Sequence, residues 1–513
     1  MTANTLNPIT ANDIVAVIGA GTMGAGIAQV AAKFGHTVLL YDKMEGAAQA
    51  GLDRTAKGLE KLVARGKMTE ADKDALVGRI QATETLDDLA PAKLVVEAIV
   101  ENLTVKQSVF SELEALCSED TILATNTSSI SVTAIGSALK RPENLVGMHF
   151  FNPAPIMKLV EVIKGLATSD SVAQLVYDLS IAWGKHAVMA KSTPGFIVNR
   201  VARPFYAEGM RVLQEGAADE ATIDAIARES GQFRMGPFEL MDLIGHDVNY
   251  AVTSSVFDAY YGDQRFLPSL IQKDLVEAGF HGRKTGRGFY NYSDGAEKPE
   301  AKTLAMQNAP TSITVEGEMG CAEPLIARIA AAGIKVHRST EHDHNGRISI
   351  GDLVIALTDG RMATERASVA QRRQLVLFDL ALDYNQATRI ALTKADQTSE
   401  ESLNQAAGLF QAIGMQVSVI DDIAGMVLMR TVAMLANEGA DAVNQQVCSA
   451  KDVDIAMQSG VNYPQGPLAW ADSIGLEQIH TVLTHLVNSY GEDRYRPSPL
   501  LRRKVFGAQT FHG

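Results

Sequence analysis

The apolar run Ile14-Val15-Ala16-Val17-Ile18 leads straight into Gly19-Ala20-Gly21-Thr22-Met23-Gly24, and no other stretch limits the fold of this chain so tightly. A short, continuous, β-branched run reads as a strand buried on both faces. A helical stretch follows through Ala32, then a second strand over Thr37–Tyr41, closed by Asp42. Strand, glycine turn, helix, strand and acid stand in the order that a dinucleotide requires. Gly19 permits the tight turn, Gly21 lets the backbone approach a pyrophosphate, and Gly24 lets the helix pack close to the sheet. Thr22 and Met23 open the helix whose N-terminus faces the phosphates. Asp42 is placed to accept hydrogen bonds from the adenosine ribose, and its charge would repel a 2′-phosphate, so NAD is favoured over NADP. A glycine triplet alone also fits a merely structural turn; here its whole context accompanies it.

More strands are expected at Leu94–Ala98, Thr121–Ala124, Leu145–Met148 and Ala187–Met189, alternating with helical segments in an open doubly wound sheet. The chain has 513 residues, enough for about three or four domains. A formal charge of −14 argues against a nucleic-acid partner, though a phosphate-bearing small molecule needs only a local basic patch. The three cysteines are widely separated, which offers neither a disulfide framework nor a metal site and suits a reducing compartment. Met1–Thr10 is polar without a signal-peptide core, and no apolar run approaches the roughly 20 residues of a membrane span. A soluble cytoplasmic protein is expected.

Polar chemistry concentrates after two of the later strands: Thr125-Asn126-Thr127-Ser128-Ser129, then His149-Phe150-Phe151-Asn152-Pro153, followed by Met157 to Val162. With Val96 to Asn102, Pro194 to Arg200 and Lys284 to Tyr290, these segments closely resemble the 3-hydroxyacyl-CoA dehydrogenase family over about residues 12–293. The resemblance implies NAD-dependent oxidation of an (S)-3-hydroxyacyl-CoA. It makes His149 the base for the hydroxyl proton and Glu161 its partner, which fixes the tautomer and stabilises the imidazolium. It makes Ser128 and Asn199 the groups that hold the reacting oxygen and the thioester carbonyl. Residues matching Glu101, Lys106, Ser128 and Lys284 touch the cofactor in the family. Taken without the motif, His149 could be a packed core histidine, and Ser128 or Asn199 a helix cap. Gly58 stands where some relatives carry serine in the helix that grips coenzyme A. Arg65 and Lys67 could still meet the nucleotide phosphates, or lie on an ordinary solvated face.

The second half repeats part of the first. Gly195, Arg200, Glu208, Gly236, Pro237 and Asp242 match Gly425, Arg430, Glu438, Gly466, Pro467 and Asp472, each pair 230 residues apart, and Gly184 with Gly414 extends the register. The expected organisation is a Rossmann-type NAD-binding domain (1–193), a helical domain (194–293), a reduced Rossmann-like insert (294–420) and a second helical copy (421–513). The insert reads with strands at Leu353–Leu357 and Ile390–Leu392. Its Val315-Glu316-Gly317-Glu318-Met319-Gly320 lacks the first glycine and carries two carboxylates, unfit for a pyrophosphate. It has no counterpart of the His149 motif, and Met429 stands in the place of Asn199. One active site per chain is expected, with the two helical domains paired within the chain, and further assembly into a homo-oligomer remains open.

For the acyl chain, Phe196–Val212 reads as one helix with Asn199 and Arg203 on a shared face. Arg203 could receive a second carboxylate at the far end of the substrate, pointing to 3-hydroxyadipyl-CoA. It could instead pair with Glu208, another acid or a coenzyme A phosphate. Two alternatives stand: a general 3-hydroxybutyryl-CoA dehydrogenase, and a non-catalytic NAD-binding structural or sensor protein, since a fold alone proves no activity.

Overall fold

The computed structural model describes residues 7–339 and 346–513, so Met1–Leu6 of the polar N-terminal stretch lie outside the described residues. The described residues form two compact units, 7–198 with 446–461 and 199–445 with 462–513, the undescribed 340–345 set aside.

In the first unit eight strands make one sheet: β1 (Val15–Ile18), β2 (Val38–Tyr41), β3 (Ile80–Thr83), β4 (Leu94–Glu97), β5 (Ile122–Thr125), β6 (Leu145–Phe150), β7 (Leu159–Lys164) and β8 (His186–Lys191). Their order is β3-β2-β1-β4-β5-β6-β7-β8. β1 pairs in parallel with both β2 and β4, so Ile18 lies level with Tyr41 and Glu97 and the strand order reverses beside the glycine turn. That crevice at the carboxyl ends is where a doubly wound sheet binds ligands. Six strands run parallel, but β7 returns antiparallel to β6 before β8 resumes parallel to β7. This return, which alternation of strands and helices does not anticipate, sets His149 directly opposite Glu161.

A segment expected inside the second helical copy belongs to this first unit. The helix Ala450–Gly460 packs on β7 and β8, with the amide of Lys191 donating to the carbonyl of Val447 at 2.9 Å and His186 Nδ1 2.8 Å from Ser459 Oγ. Gly460 permits the approach: a Cβ there would stand 2.6 Å from Leu159 Cδ2.

The second unit holds a seven-stranded mixed sheet: β9 (Ser312–Glu316), β10 (Lys335–Arg338), β11 (Arg347–Ile350), β12 (Leu353–Leu357), β13 (Leu375–Phe378), β14 (Arg389–Lys394) and β15 (Gln416–Val419), in the order β10-β9-β11-β12-β13-β14-β15. The 230-residue register reaches further back than Gly184. β14 lies 230 residues beyond β7, the starts of β13 and β15 lie 230 beyond those of β6 and β8, and the helix Glu400–Ala412 matches Asp170–Ala182. Apolar core positions exchange freely at constant volume, so the earlier part of the repeat survives in geometry after its residues have diverged.

The helical copies are built alike. Pro237–Ile244 matches Pro467–Ile474, and Glu220–Glu229 matches Ala450–Gly460. As Ala450–Gly460 covers β7, so Glu220–Glu229 covers β14, where Arg389 Nε meets Glu229 Oε2 at 3.0 Å. The expected single helix over Phe196–Val212 is a correction. Phe196 has a φ of 47°, helix begins only at Val198, and its ladder is interrupted at Ala202, which keeps right-handed helical angles, before Arg203–Gln214. Pro204 has no amide hydrogen to continue the ladder and its ring crowds the preceding turn. Asn199 and Arg203 therefore sit on separate helical segments. No helix among the described residues is long and apolar enough to cross a membrane.

Candidate active site

The glycine turn meets the requirements of a pyrophosphate. Gly19 has a φ of +95° and an added Cβ there would lie 2.4 Å from the carbonyl oxygen of Ala98; at Gly24 a Cβ would fall 1.7 Å from the oxygen of Gly19. A Cβ on Gly21 would meet nothing within 4 Å, leaving room for a ligand against the backbone. The helix Thr22–Lys33 opens at Gly21 with no side-chain cap and no acid in its first turn, so its N-terminal amides remain available to an anion. Asp42 ends β2 and braces the turn by accepting from the amide of Ala20 at 2.7 Å. These features fit NAD.

A polar chain joins the carboxyl ends of β4 and β5. Glu97 is buried and accepts from Lys106 Nζ at 2.6 Å, Thr125 Oγ1 at 2.7 Å and the amide of Ile99 at 2.7 Å. Lys106, itself buried, also meets Glu101 at 3.1 Å. Glu101 accepts from Thr127 Oγ1 at 2.7 Å and from the amide of Ser128 at 2.8 Å. Burial pushes the Glu101 carboxyl up, but Lys106 and the Thr127 and Ser128 hydrogen bonds outweigh it and hold the group below its usual range. Lys106 thus stands behind Glu101, while Ser128 is partly exposed and oriented by it.

At the end of β6, His149 Nδ1 lies 2.6 Å from Glu161 Oε2. The other carboxylate oxygen accepts the amides of Ile197 and Val198, both at 3.0 Å, so the fully buried Glu161 cannot swing away. With Glu161 ionised, Nδ1 carries the ring proton and Nε2 presents its lone pair. The rings of Phe151 and Phe196 flank the imidazole at 4.5 and 5.9 Å. Two supports escaped the sequence reading. Asn126 Oδ1 accepts the amide of Phe150 at 2.8 Å, tying the β5 loop to the histidine strand. Lys185 Nζ donates to the carbonyls of Ala154 and Met157 in the loop beyond it, and burial pushes this amine down to about 8. An asparagine in a Thr-Asn-Thr run was a visible clue to the first; nothing local marks the second.

Arg65 and Lys67 are exposed at the end of the helix Ala47–Ala64. Asn199, Arg203 and Lys284 belong to the second unit. Lys284 pairs with Asp247 at 2.6 Å, and Asn199 is half-buried. Arg203 is buried, donates from Nη1 to Thr253 Oγ1 at 3.0 Å and, among the described residues, has no partner for Nε. The alternative pairing with Glu208 is not formed: that carboxylate meets Arg430 Nε at 2.7 Å.

In the 230 register the place of His149 is taken by Asp379 and that of Glu161 by Ala391. Asp379 accepts the amides of Val427 and Leu428, the counterparts of Ile197 and Val198. It does the anchoring work of Glu161, and among the described residues no histidine pairs with it.

Fold and site together define a nicotinamide-linked alcohol dehydrogenase with a histidine–carboxylate pair. The 3-hydroxyacyl-CoA dehydrogenase NAD binding domain model matches residues 14–193, and the C-terminal domain model of the same family matches 195–292 and again 425–509. A 3-hydroxybutyryl-CoA dehydrogenase reduced Rossmann-fold domain model matches 355–423. The chain is 42% identical to a 3-hydroxyadipyl-CoA dehydrogenase of Escherichia coli strain K12, over 96% of this chain and 97% of that one. A crystal structure of 3-hydroxybutyryl-CoA dehydrogenase from Escherichia coli K12 aligns with a TM-score of 0.88 and 41% identity, covering 98% and 99% of the two chains. The (S)-3-hydroxybutyryl-CoA dehydrogenase structure from Ralstonia eutropha aligns at a TM-score of 0.54 and 40% identity, over 55% of this chain and all of its own. The chain belongs to the 3-hydroxyacyl-CoA dehydrogenase family, in a long form with a duplicated C-terminal domain. It is an NAD-dependent 3-hydroxyacyl-CoA dehydrogenase.

Proposed function

We propose that the substrate is (S)-3-hydroxyadipyl-CoA and the product 3-oxoadipyl-CoA, as in the catabolism of phenylacetate. His149 Nε2 removes the hydroxyl proton, and Glu161 holds the ring and faces the imidazolium that forms. Bound NAD supplies the acceptor for the hydride. Ser128 and Asn199 hold the reacting oxygen and the thioester carbonyl, and Asp42, Glu101 and Lys284 serve the cofactor. Arg65 and Lys67 offer positive charge to the coenzyme A phosphates. The enzyme works in the cytoplasm, without membrane or nucleic-acid partners.

The observation that carries the choice of acyl chain is Arg203. A guanidinium stays charged at any working pH, and this one is buried without a carboxylate partner among the described residues. A dicarboxylyl chain brings that partner; a butyryl chain does not. The full-length relative named for the adipyl ester supports this, while the structure named for the butyryl ester supports a short-chain reading.

NADH formation at 340 nm with butyryl, hexanoyl and adipyl (S)-3-hydroxyacyl-CoA esters decides between them. The adipyl ester is expected to give the highest kcat/KM, by about tenfold, or roughly 1.4 kcal/mol of transition-state discrimination. Arg203→Leu is expected to erase that preference. A butyryl optimum, or equal losses for both esters in the variant, would remove the dicarboxylate reading.

A further inference from the structure

Arg203 is not alone in having unused bonding capacity. Tyr463 is 6% exposed, and its hydroxyl is buried with no hydrogen-bond partner among the described residues. Arg203 is 5% exposed, its guanidinium lies 4.9 Å from the centroid of the Tyr206 ring, and it is close enough to the Tyr463 phenol for its positive charge to favour that phenol's ionised form. Buried polar atoms left without partners are rare, because each forfeits its hydration for nothing. Here a cationic Nε and a phenolic hydroxyl are left so together, and both can only donate to an incoming anion. Aromatic rings pack beside the phenol: Tyr463 lies 5.6 Å from Phe205 and 5.0 Å from Phe233. Apolar walls with a charged end suit a methylene chain terminated by a carboxylate.

We propose that Tyr463, supplied by the second half of the chain, joins Arg203 in a buried carboxylate seat and is a specificity-determining residue for a dicarboxylyl thioester. The arginine takes the carboxylate through its planar fork and the phenol donates a further hydrogen bond. Burial raises the Tyr463 phenol well above its usual range, so it remains a neutral donor at every pH at which the enzyme works. The first copy cannot supply this group itself: the residue 230 positions earlier is Phe233, which has no hydroxyl. Nor could the second copy form the seat alone, since Ala433 and Ala436 stand at the counterparts of Arg203 and Tyr206. The duplication thus gives each position freedom to specialise, which two identical subunits would not have.

The inference rests on the dicarboxylate reading above, and the two fail separately. Tyr463→Phe deletes one oxygen that has no partner among the described residues, so its melting temperature is expected to equal or exceed that of the parent. The ratio of kcat/KM for the adipyl ester to that for the butyryl ester is expected to fall tenfold or more, the usual cost of a hydrogen bond to a charged group. If the parent prefers the adipyl ester and Tyr463→Phe keeps the ratio, or loses it only together with a lowered melting temperature, the seat as proposed is wrong while the substrate stands. If the parent shows no adipyl preference, the substrate reading itself falls.

Discussion

At the residue scale, the proposed chemistry depends on how firmly one imidazole is held. Glu161 is fixed on three sides, by His149 and by the amides of Ile197 and Val198, so it can fix the ring in turn. His149→Gln removes the proposed base and is expected to lower kcat by about 100- to 10,000-fold with NADH affinity retained. Glu161→Gln leaves a side chain of the same shape, but its amide can donate to Nδ1 and so select the wrong tautomer. A loss on the order of a hundredfold or more in kcat is expected, with little change in KM, in steady-state assays of both variants. Parental kcat in the Glu161→Gln variant would show that the carboxylate serves only the backbone amides. The corresponding place in the second copy illustrates the distinction. There Asp379 anchors the amides of Val427 and Leu428 without any histidine, and burial pushes its carboxyl up to about 6.

At the element scale, one helix carries a stability switch. Asp224, within Glu220–Glu229, accepts the amides of Phe238 and Glu239, both at 2.9 Å, and the hydroxyl of Tyr290 at 2.7 Å. Burial nevertheless pushes its carboxyl up to about 7, far above its value in an unfolded chain. The folded state then holds a proton that the unfolded state has released. The contribution is full below about pH 4 and is lost as pH rises towards 7. Asp224→Asn is expected to flatten the fall of the urea midpoint between pH 5 and pH 7.5; parallel curves for parent and variant would contradict this. The elements themselves were legible to different degrees. β1, β4, β5 and β12 announce themselves as short apolar runs because both their faces are buried. β7 does not, since the antiparallel return that brings Glu161 opposite His149 is a property of pairing and not of either strand alone; the family motif supplied that partnership first. The break at Ala202 was readable in Pro204 but was overridden by the helical periodicity around it. Tyr463 and Lys185 had no local signal, because each matters through residues far away in sequence.

At the scale of the whole molecule, the second unit is knit by a pseudo-twofold exchange. Arg200 Nε meets Glu438 at 2.6 Å, and its counterpart Arg430 Nε meets Glu208 at 2.7 Å. Arg200 lies over Tyr260 and Arg430 over Tyr490, again 230 residues apart. This is the self-complementary pattern of an isologous dimer, formed within one chain. Both ion pairs are buried, so removing one partner would strand a charge and cost on the order of 3–5 kcal/mol. The reduced sheet of the second half is part of this scaffold and has lost the features of a cofactor site. β9 ends at Glu316, which is engaged by Arg347 Nε at 3.0 Å, and Glu318 follows where a pyrophosphate would need open backbone. The chain is therefore expected to hold one cofactor site, in its first half. Titration of the full-length protein with NADH, followed by the fluorescence of the bound nicotinamide, tests it most directly. An end point of one NADH per chain, abolished by Gly24→Val, is the predicted result; two per chain, or one that survives that substitution, would contradict the account.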